Sequence, residues 1–189
     1  IQHRKKRQDA KRGKLFTKLI KEITVAARDG GGDADSNPRL RLALDKAFAG
    51  NMNKDTIEKA IKRGTGNLEG VNYEELTYEG YSSSGVAVIV DCVTDNKNRT
   101  VAAVRHAFSK FSGNLGSSGS VSYLFNQIGV ITYEDTAQSD EIIDLAIESG
   151  AIDVVSDENY VEIHTDKGDF LTIAKVLKDK GYIFNNAEL

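Results

Sequence analysis

Cysteine is nearly absent from the sequence: Cys92 stands alone, which excludes an intramolecular disulfide and a zinc site built on cysteines. Long apolar runs are missing too. None approaches the roughly 20 residues that cross a bilayer, so a membrane-embedded role is not expected. With no recognisable leader segment, the lone thiol points to a reducing, cytoplasmic location. Aromatic residues are scarce at the start, where the first seventy residues hold only Phe16 and Phe48 while all seven Tyr lie at or beyond Tyr73. That scarcity argues against a base-stacking platform in the first part of the chain.

What is abundant is charge, unevenly placed. The 189 residues carry a formal net charge of -3. Residues 1–70 hold 17 Lys and Arg against 9 acids, 71–130 hold 4 against 5, and 131–189 hold 4 against 14. A chain so polarised presents a basic face to a polyanion while its acidic end discourages indiscriminate association. The basic residues begin with "HRKKRQDAKRGK", residues 3–14. From about Gln8 to Arg28, Leu15, Phe16, Leu19, Ile20, Ile23, Ala26 and Ala27 recur at helical spacing. At about 100° per residue, Arg4, Arg7, Lys11, Lys14, Lys18, Lys21 and Arg28 fall in one stripe of roughly 120° opposite the apolar one. These seven cations are the first candidate phosphate-binding set, with a bend expected at Gly13. Five to seven phosphate contacts predict a slope of log affinity against log salt of about -4 to -6 on duplex DNA.

Asn37 before Pro38 caps a second helix through about Ala49, with Leu40, Ala43, Leu44, Ala47 and Phe48 inward. Asn53 caps a third, from about Lys54 to Arg63, which ends at Gly64 and packs Ile57, Ala60 and Ile61. The intervening "GNMN" suits a helix-turn-helix, although most such turns in small bundles bind nothing. A boundary is expected near "RGTGNLEG".

Strand periodicity follows in "LTYEGY" and "VAVIVDC", then a helix in "DNKNRTVAAVRHAFSKF" capped by Asn98 with Val101, Val104, Phe108 and Phe111 inward, then a strand in "SVSYLF". Arg99, Arg105 and Lys110 on that helix form a second, weaker candidate phosphate set, since no acid occurs among residues 96–125. The enzyme-like motifs fail on inspection. "GNLGSSG" lacks the Lys and Ser/Thr of a nucleotide loop, and "DADSN" has Pro38 where a calcium loop needs Gly. The three His show no metal spacing, so neither cofactor nor metal is expected. The last segment repeats itself: "GVITYE", a helix over about Asp140–Ser149 and "IDVVSD" are echoed by "YVEIHT", a helix over about Asp169–Lys180 and "YIFNNAEL". Two such halves suggest a ferredoxin-like sheet.

The stretches "HRKKRQDAKRGKLFTKLIKEITVAAR", "GGGDADSNPRLRLALDKA", "NMNKDTIEKAIKRGTG", "YEGYSSSGVAVIVDC", "TDNKNRTVAAVRHAFSK" and "GNLGSSGSVSYLF" resemble successive signatures of the YebC/PmpR family, departing at "SSSG", where relatives usually have a Gly-Pro-Gly-Gly-like turn. The resemblance implies a regulator of gene expression. Bacterial members are described as DNA-binding transcriptional regulators, and others as ribosome-associated translation factors. The expected fold is α+β: a basic three-helix bundle over 1–70, an α/β unit over 71–127, and an acidic ferredoxin-like βαββαβ unit over 128–189. The middle unit, with three strands and one helix, leaves a sheet face uncovered; it too is expected to be ferredoxin-like, completed by a C-terminal segment beyond the chain, with the acidic unit inserted in it. The expected protein is a non-catalytic monomer binding DNA or ribosomal RNA, with the ribosome itself as a further partner and no membrane. Two other classes remain: a metal-dependent nucleic-acid or nucleotide hydrolase using Asp91 and Asp95, and a protein-interaction module whose complex would survive about 0.5 M salt.

Overall fold

Apolar residues at three- and four-residue spacing fold the first part of the chain into three helices, α1 (Gln2–Gly30), α2 (Pro38–Ala49) and α3 (Lys54–Gly64). In this computed structural model the backbone is described for residues 2–189 and the side chains for residues 10–189. Leu19, Ile23, Ala26 and Ala27 of α1 pack with Leu40, Ala43 and Ala47 of α2, with Met52, and with Ile57 and Ala60 of α3. Each large side chain buried there contributes about 1.5–3 kcal/mol. Small residues let the helices approach. A Cβ on Gly64 would run into the Thr24 carbonyl oxygen of α1, so only glycine fits where α3 crosses.

Asn37 organises the corner between α1 and α2. Its Oδ1 accepts from the Leu40 N–H at 3.0 Å, and its Nδ2 donates to the Ala26 and Gly31 carbonyls at 2.7 and 2.8 Å. One buried amide thus caps α2 and secures the end of α1. Asn53 caps α3 by accepting from the Asp55 N–H at 2.8 Å. Two expectations fail at helix surfaces: Phe48 and Leu15 are 56% and 49% exposed rather than inward. α1 is continuous helix through Gly13.

The chain then forms β1 (Glu74–Tyr81) and β2 (Ala87–Thr94), paired antiparallel from Glu74 opposite Thr94 to Tyr81 opposite Ala87. α4 (Lys97–Lys110) follows, capped by Asn96 rather than Asn98, because the Asn96 side chain reaches the Arg99 N–H. The third strand, β3, is only Asn114–Leu115, and the sheet order is β2-β1-β3. "SVSYLF" is not a strand: Ser122–Leu124 form one 3-10 turn. The cause is Glu79, 5% exposed on β1. Its carboxylate accepts from the N–H groups of Gly119 (2.5 Å), Val121 (3.1 Å) and Ser122 (2.6 Å), taking amides a ladder would need. Led by the Gly119 and Val121 amides and against the cost of burial, these bonds hold the Glu79 carboxyl down to about 2. α4 has no fully buried residue, and Phe111, expected inward, is 72% exposed where it ends the helix.

These elements belong to one compact unit, Ile1–Phe125; the second is Asn126–Leu189. It contains β4 (Ile128–Tyr133), α5 (Ser139–Glu148), β5 (Asp153–Ser156), β6 (Val161–Asp166), α6 (Phe170–Asp179) and β7 (Asn186–Glu188). All strand pairs are antiparallel and the order is β5-β6-β4-β7, the βαββαβ arrangement. Burial alternates along β4 and β6, so Ile131, Tyr133, Val161 and Ile163 face Ile142, Phe170, Ile173 and Leu177 of the two helices. Of the two ferredoxin-like units expected, this one alone has the full set of elements within the described residues; the first sheet has three strands and a single helix.

Candidate nucleic-acid interface

The bundle core begins at Phe16 and Leu19, so the part of α1 before them lies outside it. Residues 10–15 are all exposed. Lys11, Lys14 and Lys18 follow one another on the same face of this segment, spanning about 10 Å along the axis. All three are exposed, and none makes a hydrogen bond or ion pair with a described residue. Beside them Arg12 stacks its guanidinium over Phe16, 5.0 Å from the ring centre. Arg12 lies outside the roughly 120° stripe although it stands in the same basic stretch. Arg4 and Arg7 lie outside the described side chains.

Farther along the same face the cations find protein partners. Lys21, half-buried, donates from Nζ to the Val93 carbonyl at 2.9 Å and lies 5.6 Å from the Tyr73 ring centre. Arg28 donates from Nε to Asp29 at 2.8 Å and through its terminal nitrogen to the Tyr73 carbonyl. The expected seven-cation ridge therefore divides. Lys21 and Arg28 clamp the β1–β2 hairpin onto α1, and Lys11, Lys14 and Lys18 remain open. Arg39 of α2 reinforces the clamp, holding Glu22 bidentately at 2.7 and 3.1 Å and Glu75 at 2.8 Å. The Glu22 bond is the main reason its guanidinium pKa is raised. Such a fork is specific in geometry, and it joins α1, α2 and β1 at one side chain.

The α4 set does not form a line. Arg99 is paired with Asp95 at 2.9 Å, and Lys110 lies 5.8 Å from the Phe111 ring centre. Arg105 is exposed, with no hydrogen bond or ion pair to a described residue. The acid that pairs with Arg99 is residue 95, directly before the acid-free stretch 96–125. The helix-turn-helix reading also weakens. The first turns of α3 expose Asp55 and Glu58, and Glu58 lies 3.9 Å from Lys54, so this helix would bring carboxylates to a groove.

A family model for the TACO1/YebC protein N-terminal domain matches residues 1–67, and one for the TACO1/YebC second and third domain matches residues 73–189. The chain belongs to the TACO1/YebC family. A protein of Nitrosococcus oceani named "probable transcriptional regulatory protein" is 59% identical over 190 aligned residues, covering 100% of this chain and 77% of the relative. One of Thioalkalivibrio sulfidiphilus, also named a probable transcriptional regulatory protein, is 60% identical over 182 residues, 96% of this chain and 73% of the relative. The crystal structure of a conserved hypothetical protein from Aquifex aeolicus superposes with a TM-score of 0.84 at 47% identity, covering 95% of this chain and 74% of that one. The open lysines fall within the stretch matched by the TACO1/YebC N-terminal domain.

The hydrolase candidates have other engagements in this TACO1/YebC chain. Asp91 accepts from the Thr77 hydroxyl across the β1–β2 pair at 2.7 Å, and Asp95 holds Arg99. Among the described residues no group of three or more His, Cys, Asp and Glu is placed to hold a metal. Burial, then the charge of Asp91, pushes the Cys92 thiol up, away from the thiolate that a nucleophile requires. No helix among the described residues is long and apolar enough to cross a membrane.

Proposed function

We propose that the chain is a non-catalytic, nucleic-acid-binding regulator of gene expression, acting on transcription through DNA. The observation that carries this reading is the row of open lysines, Lys11, Lys14 and Lys18, on a helix segment that projects beyond its own bundle core. Cations that pair with no described residue give up none of those contacts on meeting phosphates, and each phosphate contact releases counterions. The relatives' name, probable transcriptional regulatory protein, is consistent with such a role.

A translational role through ribosomal RNA is the second reading. From Ala10 to Gly30 the helix carries no Asn or Gln, the side chains that read adenine edges, and its cations suit backbone contacts that serve an A-form helix equally. Crosslinking in cell extract, followed by sequencing of the bound nucleic acid, separates the two: promoter DNA supports the first and ribosomal RNA the second. Recovery that persists after Lys11→Glu, Lys14→Glu and Lys18→Glu together, in a protein that still folds, removes the ridge from either.

A further inference from the structure

At the far end of the same α1 face a cavity of about 310 Å³ opens between the bundle and the segment leading to β1. At about 30 Å³ per water it holds on the order of ten waters, enough for one nucleobase. Thr24 and Arg28 of α1, Arg63 of α3, and Glu69, Asn72 and Tyr73 of the following segment line it. The backbone N–H groups of residues 69–73 find no acceptor among the described residues. Arg63 is exposed without an ion pair, its stem lying against Gly70 so closely that a Cβ there would sit 3.0 Å from Cδ. Arg28 keeps donors to spare after serving Asp29 and Tyr73.

We propose that this cavity receives one unpaired nucleotide of the bound nucleic acid, its base against Tyr73 and its phosphate on Arg63 and Arg28. The inference rests on the nucleic-acid reading above. Glu69 decides between a bare phosphate and a whole nucleotide: a carboxylate repels the first, but accepts hydrogen bonds from the amino group of a base, with Asn72 beside it able to donate or accept. Tyr73 supplies an aromatic residue in the cavity lining itself, whereas Phe16 is stacked by Arg12 and Phe48 stands at the end of α2. Arg28 lies ten positions beyond Lys18, about 15 Å along the helix, so a strand tracked by the open lysines reaches the cavity within four or five nucleotides at about 3.4 Å each.

The test measures the affinity of the full chain for a short duplex and for the same duplex with one extra unpaired nucleotide, in DNA and in RNA, the two forms compared at each of several salt concentrations. The expected result is about tenfold tighter binding of the bulged form of at least one polymer. Arg63→Gln and Tyr73→Leu should each erase that preference while leaving the perfect duplex and its salt slope unchanged, and Glu69→Gln should change which unpaired base is preferred. Equal binding of paired and bulged forms overturns the cavity and leaves the lysine ridge standing. A preference that survives in Arg63→Gln and in folded Tyr73→Leu also overturns it. Binding to neither duplex removes the nucleic-acid reading and the cavity together.

Discussion

Lys18 and Lys21 are neighbours on one face of α1, with the same charge and the same reach, yet the first ends in solvent and the second on the Val93 carbonyl. What separates them is the hairpin. Where β1–β2 lies alongside the helix, carbonyl oxygens from Tyr73 and Val93 offer acceptors, and a cation there serves folding. Where no described element lies alongside, it stays in solvent. Charge on a helix face is therefore a supply, and the neighbouring elements decide how much of it remains for binding.

The largest effect that would sharpen this contrast is in binding. Reversing Lys11, Lys14 and Lys18 to Glu should lower affinity for a paired duplex about hundredfold near 0.1 M salt and flatten the salt slope by about 3, with the melting temperature unchanged. Equilibrium titration at several salt concentrations measures both. Next is Asn37→Ala, which removes a cap and leaves two carbonyls short of a donor. It should cost about 2 kcal/mol in denaturant unfolding while keeping whatever affinity the folded protein has.

Single substitutions across the divide come third. Lys21→Met should cost about 1 kcal/mol of stability and change duplex affinity less than twofold, whereas Lys18→Met should weaken binding about threefold and leave stability alone. Equal losses of affinity in the two variants would break the division. The smallest effect shows only in acid. Glu79 has a folded pKa of about 2 against an ordinary 4.5, so its contribution is complete above about pH 4.5 and is lost as the pH falls toward 2. The melting temperature of wild type should thus exceed that of Glu79→Gln at pH 6, with the gap closing below pH 4.

Much of the fold is written locally. Asn37-Pro38 and Asn53 cap helices whose apolar residues recur with the right period, and the echo of "GVITYE" in "YVEIHT" marks the two central strands of the acidic unit. What sequence spacing hides is contact over distance. Glu79 takes amides forty or more positions away, so "SVSYLF", with good strand composition, has no ladder to join. Lys21 meets a carbonyl 72 residues later, and nothing in α1 announces it. Phe48 and Phe111 have the periodicity of buried residues but stand at helix ends, where the chain turns away from its neighbours. The ridge was legible as a face; its division was not.

The fork of Arg39 on Glu22 and Glu75 stands close to Lys21, and α1 runs without a break from Ala10 to that point. A load applied at the lysines is carried along a stiff lever straight to the joint where bundle and hairpin meet. A partner gripped by those lysines would thereby be held in register with the first sheet, and the hairpin would travel with it.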